Sequence, residues 1–357
     1  MATTPRSARA RRLVPVALVA LALVAGACGG GGKKEASHRT TTTVKRTTTT
    51  EVPPTSPLTG LPQADASKLT RPALMVKVDN TPKGYVQQEG IDKADIVFVE
   101  QTEQGTTRLA AVFQSQDATV GPVRSARTSD VGIAGALNHP MLAYSGANGG
   151  VLRQVRSGPL VDVGIDAKGV TSIYTRNQRG TIRNLYRYFL PTAQVYAARG
   201  AEGKTPPPLF TYRTGSEPSA GSPAKGARIG YGGGAATVVN YQWDVNLKGW
   251  ARTQSGRPHV MAKGGPRIAP ANVVILVTPY KNSGFRDVTG AVSPQAVLEG
   301  SGQAWFLSDG KVVQGRWSRP GPLGAFSFTD AAGAPAQLTP GQTFVELAPA
   351  AGAATIL

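Results

Sequence analysis

A single cysteine, Cys28, serves all 357 residues of the chain. No disulfide can form within it, so whatever folds must hold by packing and hydrogen bonding alone. The position of that cysteine is a second constraint. Arg6, Arg9, Arg11 and Arg12 precede an apolar run from Leu13 to Ala27 that is too short to span a bilayer comfortably. The run ends in the small residues Ala25, Gly26 and Ala27, directly before Cys28. Residues 1–27 therefore read as a signal peptide, and the chain as an exported one.

The run VAGAC resembles the cleavage and acylation site of bacterial lipoproteins. Ala25 stands where that pattern more often has Leu. The resemblance implies that Cys28 becomes the lipidated N-terminus and sits on the outer face of the cytoplasmic membrane. An ordinary secretory signal or a signal anchor are the other readings; motif and composition together favour the lipoprotein.

Residues 29–57 hold a glycine run, two threonine runs (Thr40–Thr43 and Thr47–Thr50) and Pro53-Pro54. Nothing there can bury a core, so 28–57 reads as a lipidated cysteine followed by a disordered Thr-rich tether. Fully stretched it would reach ~100 Å. The net charge is +18, with nine Lys or Arg against two Asp or Glu in residues 1–57 and thirty against nineteen beyond. The folded part is thus basic in its own right. Outside the cell a cationic surface meets anionic polymers and lipid headgroups, and export argues against nucleic acid as a partner.

From Ala73 the texture changes. ALMVKVD (73–79), DIVFVEQ (95–101) and TRLAAVFQS (107–115) read as strands buried on both faces. TSDVGIAGALN (128–138) has helical spacing with Ser129 or Asp130 as cap, and PMLAYSG (140–146) reads as a strand. NGGVLRQVR (148–156) and RGTIRNLYRYFL (179–190) read as helices. A Pro/Gly/Ser-rich stretch at 213–226 reads as a linker. Beyond it come short strand-like runs with turn signals and almost no helix pattern. The expectation is α+β: an N-terminal α/β-type domain with a mixed sheet (58–212), then a β-rich C-terminal domain (227–348) and a tail (349–357).

PLTGLP, RPALMVKVDN, ADIVFVEQTEQGTTRLAAVFQS, GPVRSAR, RNLY, APANVVILV, GKVVQGRW and LTPGQTFVEL together resemble the YerB-type lipoproteins, a two-domain bacterial family of unknown biochemical function. The resemblance runs from about Leu58 to Leu347 and implies architecture and location, with no reaction. The family tends to place a His where Ser145 stands, and His-x-Asp where this chain has His259-Val260-Met261. Metal or proton chemistry at those positions would be missing here.

GPVRSAR (121–127) is the sharpest local feature. Arg124, Ser125, Arg127 and Thr128 before a helix start suit a phosphate, sulfate or carboxylate. The competing reading pairs one of these arginines with Glu100 or Glu103 and makes the loop structural. Asp79, Asn80, Glu100 and Glu103 end strands, where open sheets border their ligand crevice. Ser145 and Asn148 flank a Gly-rich strand-to-helix turn. No zinc spacing, nucleophile elbow or P-loop is present, so no metal, cofactor or catalytic residue is assigned. The four tryptophans read as core of the β-domain rather than a sugar platform.

Three functions follow from these residues. The first is a non-enzymatic tethered protein binding an anionic envelope polymer, a lipid-linked precursor or a protein. The second is an envelope enzyme with an Arg clamp on a phosphorylated or glycan substrate and Asp79 or Glu100 as base. The third is a protein-interaction scaffold using the β-domain.

Overall fold

β1 (Leu74–Asp79), β2 (Ile96–Gln101) and β3 (Thr107–Phe113) carry apolar residues on both faces, and the computed structural model buries both. The structure describes residues 53–176, 186–214, 217–232 and 236–357, so the expected signal peptide and Cys28 lie outside the described residues. β3 runs antiparallel between the other two, with Leu109 opposite both Val78 and Val99. Period-two alternation sends Val76, Val78, Val97, Val99, Leu109 and Ala111 into one core. It sends Met75, Phe98, Ala110 and Val112 into a second core on the opposite face.

The C-terminal residues extend the same sheet. Thr343–Ala348 pairs in parallel with β2 and, on its other side, with Asn272–Val277. Gly300–Ser308 and Lys311–Arg319 continue outward, and Met141–Ala143 and Val161–Asp162 complete the far edge beside β1. Among the described residues the result is a mixed sheet of eleven strands. A second, five-stranded sheet is built from Gly226–Tyr231, Thr237–Asp244, Gly249–Gln254, Arg257–Pro258 and Ala354–Ile356. Trp250 and Trp317 are fully buried, as expected of core residues in a β-rich domain.

Among the described residues the α-helices are short: α1 (Ala66–Thr70), α2 (Pro82–Tyr85), α3 (Thr128–Ala134), α4 (Gly149–Ser157) and α5 (Thr192–Arg199). α3 ends four residues before the expected Asn138. Its N-cap is Arg127, whose backbone N–H donates to Asp130 Oδ2 at 2.7 Å, so Asp130 caps from inside the first turn. α4 begins after Asn148, whose Oδ1 accepts from Gly150 N at 2.8 Å.

Four expectations need correction or restriction. The helix expected at 179–190 falls partly outside the described residues, and its last part, Tyr188–Pro191, is a strand. Buried Phe189 and Leu190 sit there between Thr119–Val120 and Thr175–Arg176, where a cross-strand partner on each side outweighs helical spacing. The end of the tether is folded: Ser56 is buried and its N–H donates to Leu61 O. The 349–357 segment is no free tail, because Ala354–Ile356 satisfies the edge of Gly226–Tyr231. The 213–226 segment is docked: Ser222–Pro223 pairs with Lys311–Arg319, and Arg213 forms an ion pair with Asp309. Polar hydrogen bonds hold these segments, and apolar periodicity is blind to them.

A buried polar network joins the early and late parts of the chain. Tyr231 and Tyr241 each donate a hydroxyl to Glu346 at 2.6 Å. Arg252 Nη1 lies 3.0 Å from His259 Nδ1, and His259 Nε2 lies 2.6 Å from Gln88 Oε1. Since guanidinium only donates and the amide oxygen only accepts, His259 carries its proton on Nε2 and is neutral. Asn80 completes the chain, donating to Gln254 Oε1 and to Thr107 Oγ1, each at 2.7 Å.

Candidate functional site

Asp79, Arg108 and Glu100 stand in one row across β1, β3 and β2, directly opposite one another in register. The row is the charged end of the second, otherwise apolar face, with Lys77 one pleat behind. Lys77 Nζ lies 2.5 Å from Glu100 and 2.7 Å from Asp130, and all three side chains are fully buried. Burial first, and then the Asp130 charge, push the Glu100 carboxyl up to about 7 against the pull of Lys77.

GPVRSAR crosses the end of this row. Arg124 N donates to Lys77 O at 2.8 Å and Ser145 N donates to Arg124 O at 3.0 Å, so the loop lies along β1 like an added strand. The Arg124 guanidinium then reaches the Asp79 carboxylate. Asp79 Oδ1 also accepts from the Thr81 N–H at 2.8 Å, which leaves this acid committed. Arg127 grips Glu103 with both arms, Nε to Oε1 at 2.8 Å and Nη2 to Oε2 at 2.7 Å. Ser293 donates to the same Glu103 Oε1 at 2.5 Å. Burial works to raise the Glu103 carboxyl, but the hydrogen bonds and charge of Arg127 outweigh it and hold the group below its ordinary value.

Arg108 differs from both. It is 6% exposed, yet no carboxylate lies within ion-pair distance among the described residues. Its Nη1 makes one long contact, 3.5 Å to Ser125 O, and its buried Nε has no partner. Burial, and then repulsion from Arg127 and Arg124, pull its guanidinium down to about 9. A buried cation in this condition is costly unless something anionic joins it.

All three arginines open onto one cavity of about 580 Å³. Its wall also holds Glu103, Gln104, Ser125 and Asn148, with Ala147 and Val151 as an apolar side. The outer wall is the hairpin of Tyr280–Arg286 and Val292–Ala296, which brings Arg286, Asp287, Val288 and Ser293 over the opening. Phe285 packs where a Cβ on Gly150 would stand, 2.0 Å from its ring, so only glycine lets the hairpin sit on α4.

Of the expected residues, the cavity gathers Arg124, Ser125, Arg127, Glu103 and Asn148, with Asp79 behind Arg124. Asn80 faces the Gln254 network instead, and Glu100 faces Lys77. Ser145 donates to Val123 O at 2.7 Å and Thr128 is buried; neither lines the cavity. The structural reading of GPVRSAR holds for Arg127, which pairs with Glu103, and Arg124 pairs with Asp79; both guanidinium groups also line the cavity. Neither acid named as a base is free: Asp79 and Glu100 are fully buried in ion pairs. Among the described residues no cluster of three or more His, Cys, Asp or Glu is placed to hold a metal ion. Sequence reasoning missed Arg108, Arg286 and Ser293. The signal for Arg108 was an arginine inside an apolar strand, beside the strand end and on the face it shares with Lys77.

Family models for a protein of unknown function, the DUF3048 N-terminal and C-terminal domains, match residues 58–202 and 227–345. A protein named "Putative lipoprotein YerB" from Bacillus subtilis is 29% identical over 315 residues, covering 84% of this chain and 88% of its own. The crystal structure of YerB from Bacillus subtilis is similar with a TM-score of 0.71 at 25% identity, covering 85% of this chain and 99% of that one.

Proposed function

Since the chain belongs to the DUF3048 family of YerB-like proteins, whose function is unknown, we propose that it is an extracytoplasmic lipoprotein that binds an anionic envelope ligand without transforming it. Acylated Cys28 would hold it on the outer face of the cytoplasmic membrane, and the Thr-rich tether would lift the folded part away from the lipid. The observation that carries the binding reading is Arg108: a buried guanidinium without a carboxylate, opening onto a cavity of about 580 Å³ beside two further arginines. That size falls in the ordinary range for small-ligand sites. The burial of Asp79 and Glu100 in ion pairs favours binding over catalysis, because neither can reach a proton in the cavity. Titrating the full-length mature chain in detergent with acetate, dimethyl phosphate, methyl phosphate and sulfate tests this. At least one should bind saturably and lose about tenfold or more in affinity in Arg108→Met. Failure of all four to bind would end the reading.

A further inference from the structure

We infer, building on the anion-binding reading above, that the cavity takes a singly charged oxyanion, a carboxylate or phosphodiester group, and disfavours doubly charged ones. Two of the three arginines are already compensated: Arg124 by Asp79, and Arg127 by Glu103. The charge left over at the cavity wall is that of Arg108 alone; Lys77, Glu100 and Asp130 lie behind it and do not line the cavity. At the rim, Arg286 and Asp287 are adjacent and of opposite sign. One negative charge on the ligand therefore neutralises the arginines and carboxylates at the cavity wall. A second would lie close to the carboxylates of Asp79 and Glu103, in surroundings that screen repulsion less than water does. Displacing either carboxylate would leave it buried without its partner.

Shape points the same way. A guanidinium presents its N–H groups as a fork that matches two equivalent oxygens on one atom, as in a carboxylate or the two free oxygens of a phosphodiester. The Arg108 guanidinium, which lines the cavity and has no carboxylate partner, can supply such a fork. Ala147, Val151 and Val288 offer an apolar wall beside it for the uncharged remainder of the ligand.

The experiment compares probes on the full-length mature chain by NMR titration. At about pH 8 methyl phosphate carries two charges, because its second ionisation lies near 6, whereas dimethyl phosphate and acetate carry one. The tighter of dimethyl phosphate and acetate should bind about tenfold or more better than methyl phosphate, and which of the two is tighter separates phosphodiester from carboxylate. Glu103→Gln keeps a hydrogen-bonding group beside Arg127 and removes one negative charge, so the preference should shrink severalfold or reverse. A wild-type measurement covers the case in which that variant does not fold. At about pH 5 methyl phosphate is singly charged, and its affinity should rise towards that of dimethyl phosphate. Equal or tighter binding of methyl phosphate at the higher pH would overturn the charge selectivity while leaving the anion site standing. Absence of binding by every probe would remove the site itself.

Discussion

Arg127 and Glu103 meet through two parallel hydrogen bonds of 2.8 and 2.7 Å, one from each arm of the guanidinium fork, in a pocket that leaves both side chains about one-tenth exposed or less. The pair fastens the turn after β2 to the start of α3, and Ser293 adds the outer hairpin to the same carboxylate. One carboxyl group thus joins three separate parts of the chain around the cavity.

Breaking that pair should be costly in stability. Arg127→Ala leaves a buried carboxylate without its partner and should lose about 3–5 kcal/mol in chemical denaturation. Arg127→Lys restores the charge without the fork and should recover part of the loss. A loss below about 1 kcal/mol for the alanine variant would mean the pair behaves like an exposed surface bridge.

Arg108 should show the opposite sign. It has no carboxylate to abandon, so Arg108→Met removes a buried charge and keeps most of the side-chain volume. The variant should be more stable by about 1 kcal/mol while losing anion binding. Thermal melting without added anion reads the gain. A clear drop in melting temperature would show that Arg108 is a structural support.

His259 contributes to the acid limb of the stability curve. Burial, followed by the charges of Arg252 and Arg267, holds its imidazole well below the ordinary value of 6.5. The unfolded chain therefore takes up a proton below about 6.5 that the folded chain refuses, and stability falls as pH drops through that range. His259→Gln should flatten this limb, although its stability at neutral pH will also be lower because the Arg252 and Gln88 contacts change. An unchanged slope between about pH 6.5 and 5 in the variant would contradict the neutral buried histidine.

Glu100 acts in the other direction. Its folded value, about 7, lies above the ordinary 4.5, so the folded state holds a proton that the unfolded state has lost. Its contribution is complete below about 4.5 and disappears as pH rises through about 7. Asp95, pushed up to about 6 chiefly by burial, adds to the same trend. The stability of Glu100→Gln relative to the parent should increase steadily between about pH 4.5 and 7. A difference that stays constant with pH would show Glu100 ionised throughout.

Cys28 is the expected attachment point. Cys28→Ala should abolish incorporation of labelled fatty acid and block normal processing. Labelling that persists in this variant would end the lipoprotein reading.

The sequence by itself determined what depends on neighbours along the chain. The expected signal peptide and tether, and the single cysteine, are compositional. β1, β2 and β3 are legible because continuous apolar runs of strand length demand burial on both faces. α4 is legible from Asn148 and its helical spacing. GPVRSAR was recognisable as special, because two arginines after a Gly-Pro turn and before a helix have few local uses.

What tertiary structure decided is which charges meet. Asp79, Glu100 and Glu103 are equivalent in sequence terms, each an acid at or after a strand end. Only the strand register sets Asp79 and Glu100 opposite Arg108, and only the approach of the GPVRSAR loop and α3 decides their partners. Glu100 goes to Lys77, which also holds Asp130 from α3, while Glu103 goes to Arg127. Arg108 is left over by that allotment. An unpaired buried charge is the residue of pairings made by groups far apart in the chain, and no local pattern encodes it.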